Sequence, residues 1–256
     1  MMTIMAIERS SLVAFDVTAK GRVEYEDKGE GEHLDRFEFR FALDIPGRRM
    51  RVSRLDHFRG GEEERQVRVL YVDTPEWEIH GNDKTAVVYA PGVSIARKPA
   101  FFDPRAVGLY FCGDYARGSS AETMFGHYSQ WDDSQFKKTK TDDGKIILEY
   151  GMADRVNATS IMVDPEKGYW PIALCHFEGD EMHVQNTSVI ARRHDMWLPV
   201  ETTIVCRSRT IRIKYTWHSA NAPLDDKMFS QGDIAKERNV QMIHHRSSPK
   251  PLSQKR

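Results

Sequence analysis

The feature that most constrains this chain is the alternation running from Val13 to Tyr25. Val13, Phe15, Val17, Ala19, Gly21, Val23 and Tyr25 hold the odd positions, with Asp16, Thr18, Lys20, Arg22 and Glu24 between them. Successive strand side chains point to opposite faces, so this pattern specifies a long strand with one dry and one wet side. A charged stretch from Lys28 to His33 with Gly29 and Gly31 marks a turn. Phe37, Phe39, Phe41, Leu43 and Ile45 then alternate with Glu38, Arg40 and Asp44. The two runs predict a long antiparallel hairpin with its aromatic face inward.

The same rhythm continues. Pro46-Gly47 breaks the second run, and further strands are predicted at 48–58, 66–73, 77–80 and 86–89. Residues 91–109 are irregular. Ser119 and Glu122 form a capping-box pattern, which predicts a short amphipathic helix at about 120–131. The polar stretch 135–144, with Lys137, Lys138 and Lys140, is expected as a solvated loop. Strands return at 146–150, 158–163 and 170–177, then in a hairpin around Gly179-Asp180, from Trp197 to Cys206, and from Arg209 to Trp217. Asp225–Phe229 suits one helical turn. Beyond Glu237 the charged residues are all basic, and the segment reads as extended or disordered. Short turns between successive strands fit an antiparallel meander and not a βαβ fold. The expected organisation is one domain over residues 1–230 and a basic tail over 231–256.

Composition narrows the function classes. The chain has 256 residues, 40% hydrophobic and 29% charged, which fits a globular protein and excludes wholesale disorder. Its 37 basic and 38 acidic residues nearly cancel, so a strongly basic nucleic-acid binder is not indicated. No stretch approaches the ~18 apolar residues of a membrane-spanning helix. Cys112, Cys175 and Cys206 are far apart and form no C-x-x-C; buried free thiols are expected, with at most one disulfide. Met1 to Ser11 holds no basic stretch followed by an apolar run, so no secretory leader is visible, although Met1, Met2 and Met5 leave the start open.

No catalytic signature emerges. G-x-S-x-G, the glycine-rich phosphate loops and H-E-x-x-H are all absent. A two-residue turn at Gly179-Asp180 would bring His176 opposite His183, with Glu178 and Glu181 near. Two histidines fall short of the three or four ligands zinc takes, so no metal site and no cofactor are assigned. The informative feature is a set of apolar rows: Phe37, Phe39 and Phe41; Val67, Val69 and Tyr71; Ile211, Ile213, Tyr215 and Trp217. Long strands with few covering helices must close into a barrel, find a partner or enclose a ligand.

The order of elements resembles the bacterial outer-membrane lipoprotein-carrier and lipoprotein-sorting (LolA/LolB-like) family. The resemblance lies in the long opening strand 18–24, the Ile45-Pro46-Gly47-Arg48-Arg49-Met50-Arg51-Val52 passage and the turn Val72-Asp73-Thr74-Pro75 before Trp77. It continues in Val163-Asp164-Pro165, Trp197-Leu198-Pro199 and the close at Trp217-His218-Ser219-Ala220-Asn221 with Phe229. It implies a mainly β (α+β) fold, a strongly curved antiparallel half-barrel with a few short helices plugging its concave face. It further implies a non-enzymatic carrier or binding protein that holds a lipid or a lipoprotein acyl chain, working with a membrane-associated protein partner and no nucleic acid. The cavity would be lined by Phe37, Phe39, Phe41, Val67, Val69, Tyr71, Ile211, Ile213 and Tyr215, and Arg51 would contact a lid. The resemblance implies a periplasmic or otherwise exported protein; the start as written implies a cytoplasmic one. The alternative on the same fold is a protein-binding scaffold with a filled cavity, and after it a metal-dependent enzyme.

Overall fold

The computed structural model describes residues 5, 11–26, 33–59, 63–71, 76–80, 85–89, 103–110, 136–151, 158–230, 232–233 and 241–244. Its strands are β1 (Ala14–Tyr25), β2 (Leu34–Asp44), β3 (Arg49–Phe58), β4 (Glu63–Tyr71), β5 (Glu76–His80) and β6 (Thr85–Tyr89). They continue as β7 (Lys137–Lys140), β8 (Ile146–Tyr150), β9 (Ala158–Asp164), β10 (Trp170–Glu178) and β11 (Glu181–Arg193). The last three are β12 (Met196–Cys206), β13 (Arg209–Ala220) and β14 (Gln241–His244).

All belong to one sheet in the order β14-β6-β5-β4-β3-β2-β1-β13-β12-β11-β10-β9-β8-β7. Every neighbouring pair is antiparallel except β14 on β6. The sheet is not closed into a barrel: β14 and β7 are its two edges. Two meanders meet where the first strand pairs with β13, which encloses β1 between β2 and β13. β14 falls within the segment expected as a tail. The stretch expected as a solvated loop contributes edge strand β7, whose Lys137, Lys138 and Lys140 are exposed. Lysines on an edge discourage pairing with another chain. The helix expected at 120–131 lies outside the described residues.

The register defines one inner face. Ala19 lies opposite Phe39 and Tyr215, Val17 opposite Phe41 and Trp217, and Gly21 opposite Phe37 and Ile213. A longer row crosses seven strands through Leu148, Ile161, Leu174, Asn186, Ile204, Ile211 and Val23, all buried. Phe15 stacks on Phe41 at 5.5 Å between ring centroids and meets Trp217 at 5.7 Å. The indole Nε1 atoms of Trp170 and Trp217 donate to the carbonyls of Trp197 and Pro199, so neither buried ring leaves its donor unsatisfied.

The opposite face is charged. Asp16 takes a bidentate pair from Arg40 at 2.9 and 2.7 Å. Arg49 bridges Asp44 at 2.8 Å and Asp226 at 2.6 Å, and lies 4.4 Å from the Phe229 ring. These contacts dock the 3-10 turn Asp226–Met228, the helical turn expected there, onto β3.

Gly21 has a steric reason. A Cβ built there would lie 2.1 Å from the Phe37 ring, which covers the glycine across the β1–β2 pair. Gly21→Val should therefore overpack this row and cost about 1–3 kcal/mol. Gly21→Val with Phe37→Ala should cost less than the two changes added. Urea unfolding of the four members of this cycle measures it, and strict additivity would contradict the packing described.

Candidate functional site

Residues 103–110 form a strap on the inner face. Asp103 begins it: its side chain accepts from the Arg105 backbone N–H, and Pro104 sets the first position of a 3-10 turn over Pro104–Ala106. Asp103 also takes the Arg105 side chain, from Nη2 at 2.6 Å and Nε at 3.1 and 3.2 Å. The Tyr110 hydroxyl closes the loop. It accepts from the Asp103 N–H at 2.6 Å and donates to the Asp103 carbonyl at 2.9 Å. The strap thus carries its own polar closure, and Ala106, Val107, Leu109 and Tyr110 are left to pack into the core with no exposed surface.

The strap meets the sheet at Asn186 and at Gly108. Asn186 on β11 donates from Nδ2 to the Tyr110 carbonyl at 3.0 Å. Gly108, at φ +88°, comes so near β10 that a Cβ would meet Pro171 Cβ and its carbonyl oxygen at 2.8 Å. Only glycine suits both that angle and that approach.

Asn186 is the polar member of the long apolar row, and it is fully buried. Its Oδ1 accepts no hydrogen bond among the described residues. An unsatisfied buried acceptor costs about 1–3 kcal/mol. The inner face therefore offers one acceptor set in apolar surroundings beneath the strap. Further along, Arg54 on β3 holds Asp56 through Nε at 2.8 and 2.9 Å and lies 5.7 Å from the Phe37 ring.

The expected lining residues divide between the two faces. Phe37, Phe39, Phe41, Ile211, Ile213 and Tyr215 come together on the inner face and are buried; Phe39 and Phe41 are each 1% exposed. The positions of Val67, Val69 and Tyr71 pair with Ser53, Arg51 and Arg49, and Arg51 pairs with Ala42. That register puts them on the opposite face from Phe39. Arg51 shares it: its Nη1 donates to the Met228 carbonyl at 3.1 Å, so it anchors the 225–229 turn and does not adjoin the aromatic row. The physical reason is phase. Phe41 opposes Val52 and not Arg51, so even positions of β3 and odd positions of β2 share a face, and β4 follows with its odd positions turned away. Sequence reasoning missed Asp103, Arg105, Tyr110 and Asn186. The Asp-Pro-Arg spacing at 103–105 was the available signal for the first two.

The histidine pair does not form as the simple turn predicts. Glu178 opposes Glu181 and Phe177 opposes Met182, but a bulge then sets His176 opposite Val184. His176 Nδ1 pairs with the Thr159 hydroxyl at 3.1 Å, while His183 contacts Glu178 at 3.3 Å and Glu181 at 3.9 Å. Burial holds the His176 pKa below its ordinary value; nearby Glu178 opposes that shift and His183 adds to it. No group of three potential metal ligands occurs among the described residues. Cys206 is disulfide-bonded, a correction to the expectation of free thiols, whereas Cys175 is free and burial raises its pKa.

Comparison with known protein families and with curated proteins finds no match for this chain.

The strap's closure makes a prediction. Arg105→Met removes the bidentate partner of a buried carboxylate and should cost about 3–5 kcal/mol. The double change Asp103→Asn, Arg105→Met should recover a large part of that loss. Chemical denaturation measures both, and a single-variant cost below about 1 kcal/mol would contradict a structural role for this pair.

Proposed function

We propose that the protein is a non-enzymatic carrier that holds an acyl chain between the inner face of a curved sheet and the 103–110 strap. The observation that carries this reading is the continuous apolar inner face, from Leu148 on β8 to Phe41 on β2, covered in part by a segment that holds itself together. Curvature has two supports. Open sheets seldom exceed about ten strands without curling, and this one has fourteen. Five register shifts also interrupt its pairings, and each such irregularity bends a strand and increases its twist. Curvature of this kind is what the resemblance to lipoprotein carriers implies. The bonded Cys206 favours an oxidising compartment such as the periplasm.

The energetics are compatible with exchange. Burying an acyl chain gains about 0.8 kcal/mol per CH₂, or roughly 12 kcal/mol gross for a sixteen-carbon chain. Displacing the strap re-exposes Val107 and Leu109, each worth about 1.5–3 kcal/mol, along with Ala106 and Tyr110. The two quantities are of one order, so the strap closes over an empty face and yields to a guest. Asn186 Oδ1 would meet a hydroxyl or amide donor near the guest's polar end. A second reading, a protein-binding scaffold, is favoured by the near-zero exposure of Phe39 and Phe41, which marks a face filled by the chain's own side chains.

Native mass spectrometry of the full chain, purified under mild conditions and then offered a C16 fatty acid, separates the two. The carrier reading predicts a bound species of fatty-acyl mass and faster uptake by Tyr110→Phe, which lacks the hydroxyl that closes the strap. A chain that is isolated empty and takes up no fatty acid would overturn it in favour of the scaffold.

A further inference from the structure

Away from the strap, the far end of the β1–β2 hairpin encloses an open groove of about 580 Å³. Arg22, Glu24, Tyr25, Asp35, Arg36 and Arg59 line it. The pairing register explains its charge. Arg22 lies directly opposite Arg36 on β2 and directly opposite Arg212 on β13, so three guanidinium groups occupy one row on adjacent strands. Directly opposed side chains have Cβ atoms ~4.5–5.5 Å apart, and like charges at that spacing repel. The neighbouring row repeats the arrangement with Lys20 opposite Lys214.

Local carboxylates offset only part of this charge. Glu24 hydrogen-bonds to Arg212 and lies 3.7 Å from Arg22. The Arg212 hydrogen bond holds the Glu24 carboxyl below its usual range, so it stays ionised. Asp35 lies 3.8 Å from Arg59. Arg36 is exposed and makes no ion pair among the described residues. Among the described lining residues three guanidinium groups meet two carboxylates and leave one positive charge, and the Lys20 partner Glu38 is already engaged at 3.1 Å. Lys20 and Lys214 are each paired with an acid, Lys214 with Glu201 at 3.3 Å. The uncompensated charge is thus concentrated at the Arg22–Arg36 end.

We propose that this groove binds a phosphate-bearing anion, with Arg36 as its principal contact and Arg22 and Arg59 flanking. A phosphate monoester carries about −1.5 to −2 charge at pH 7 and three acceptor oxygens, which suit a groove of net positive charge and the planar donors of arginine. The bound anion removes the cross-strand repulsion that the empty groove sustains. This site rests on the register and charges at the hairpin end and is independent of the acyl chain reading.

The test uses the full chain at low ionic strength, where surface charge is least screened. Inorganic phosphate is titrated by calorimetry. In parallel, the protein is sedimented with vesicles of phosphatidylcholine alone and with added phosphatidic acid. Arg36→Gln should weaken the interaction about tenfold or more, the scale of losing one charged hydrogen bond. Lys138→Glu, on the far edge strand, should leave it unchanged. Because Arg36 is exposed and crowded by like charge, Arg36→Gln should also keep or raise the thermal midpoint, so that weaker binding is not loss of fold. Binding of free phosphate that is lost in Arg36→Gln assigns a soluble ligand. Binding only to phosphatidic-acid vesicles, lost in the same variant, assigns a lipid headgroup. Absence of binding in both arms, or equal weakening by Arg36→Gln and Lys138→Glu, would overturn the proposal.

Discussion

The aromatic row in which Phe39 meets Phe41, Phe41 stacks on Phe15 and Phe15 meets Trp217, across β2, β1 and β13, is the contact on which the rest of the structure depends. β1 and β13 are far apart in sequence, yet their pairing joins the two meanders into one sheet. Closing so long a loop costs entropy that only extensive burial can offset. The aromatic row supplies that burial. It uses small residues where rings must fit, with Ala19 opposite Phe39 and Gly21 beneath Phe37. The charged outer face adds little by comparison, since exposed ion pairs such as Lys20–Glu38 contribute ~0–1 kcal/mol each.

That inner face also sets the chemistry available to the strap. A segment crossing an apolar sheet must satisfy its own polar groups or leave them buried and unpaired. Asp103 solves most of this within a few residues, by capping the 3-10 turn, holding Arg105 and exchanging two hydrogen bonds with Tyr110. Among the described residues, the strap meets the sheet through the Asn186 hydrogen bond, the approach of Gly108 to Pro171 and side-chain burial.

Much of the fold was legible in the sequence because alternation is a local property. Val13–Tyr25, Phe37–Leu43 and Arg209–Trp217 announce their strands without help from the rest of the chain. Face assignment was less legible. Val67, Val69 and Tyr71 form as clear a stripe as Phe37, Phe39 and Phe41, yet the register turns their positions to the other side of the sheet. One residue in a turn decides that, and no strand pattern records it. The bulge at His176–Phe177 shifts a predicted histidine pair in the same way. The strap residues were hidden for a different reason: 103–110 has no periodicity, and its roles arise from contacts with Pro171 and Asn186, distant in the chain.

The claim that the strap opens independently of the sheet is tested most directly by native-state hydrogen exchange. The amides of Ala106, Val107 and Leu109 donate within the strap, to the carbonyls of Asp103, Pro104 and Ala106. The account predicts that they exchange through a local opening, with much lower protection than the amides of Ala19 and Ile213 in the central strands. Protection of the strap equal to that of β1 and β13 would mean that it leaves only when the whole domain unfolds, and would contradict an acyl-chain gate.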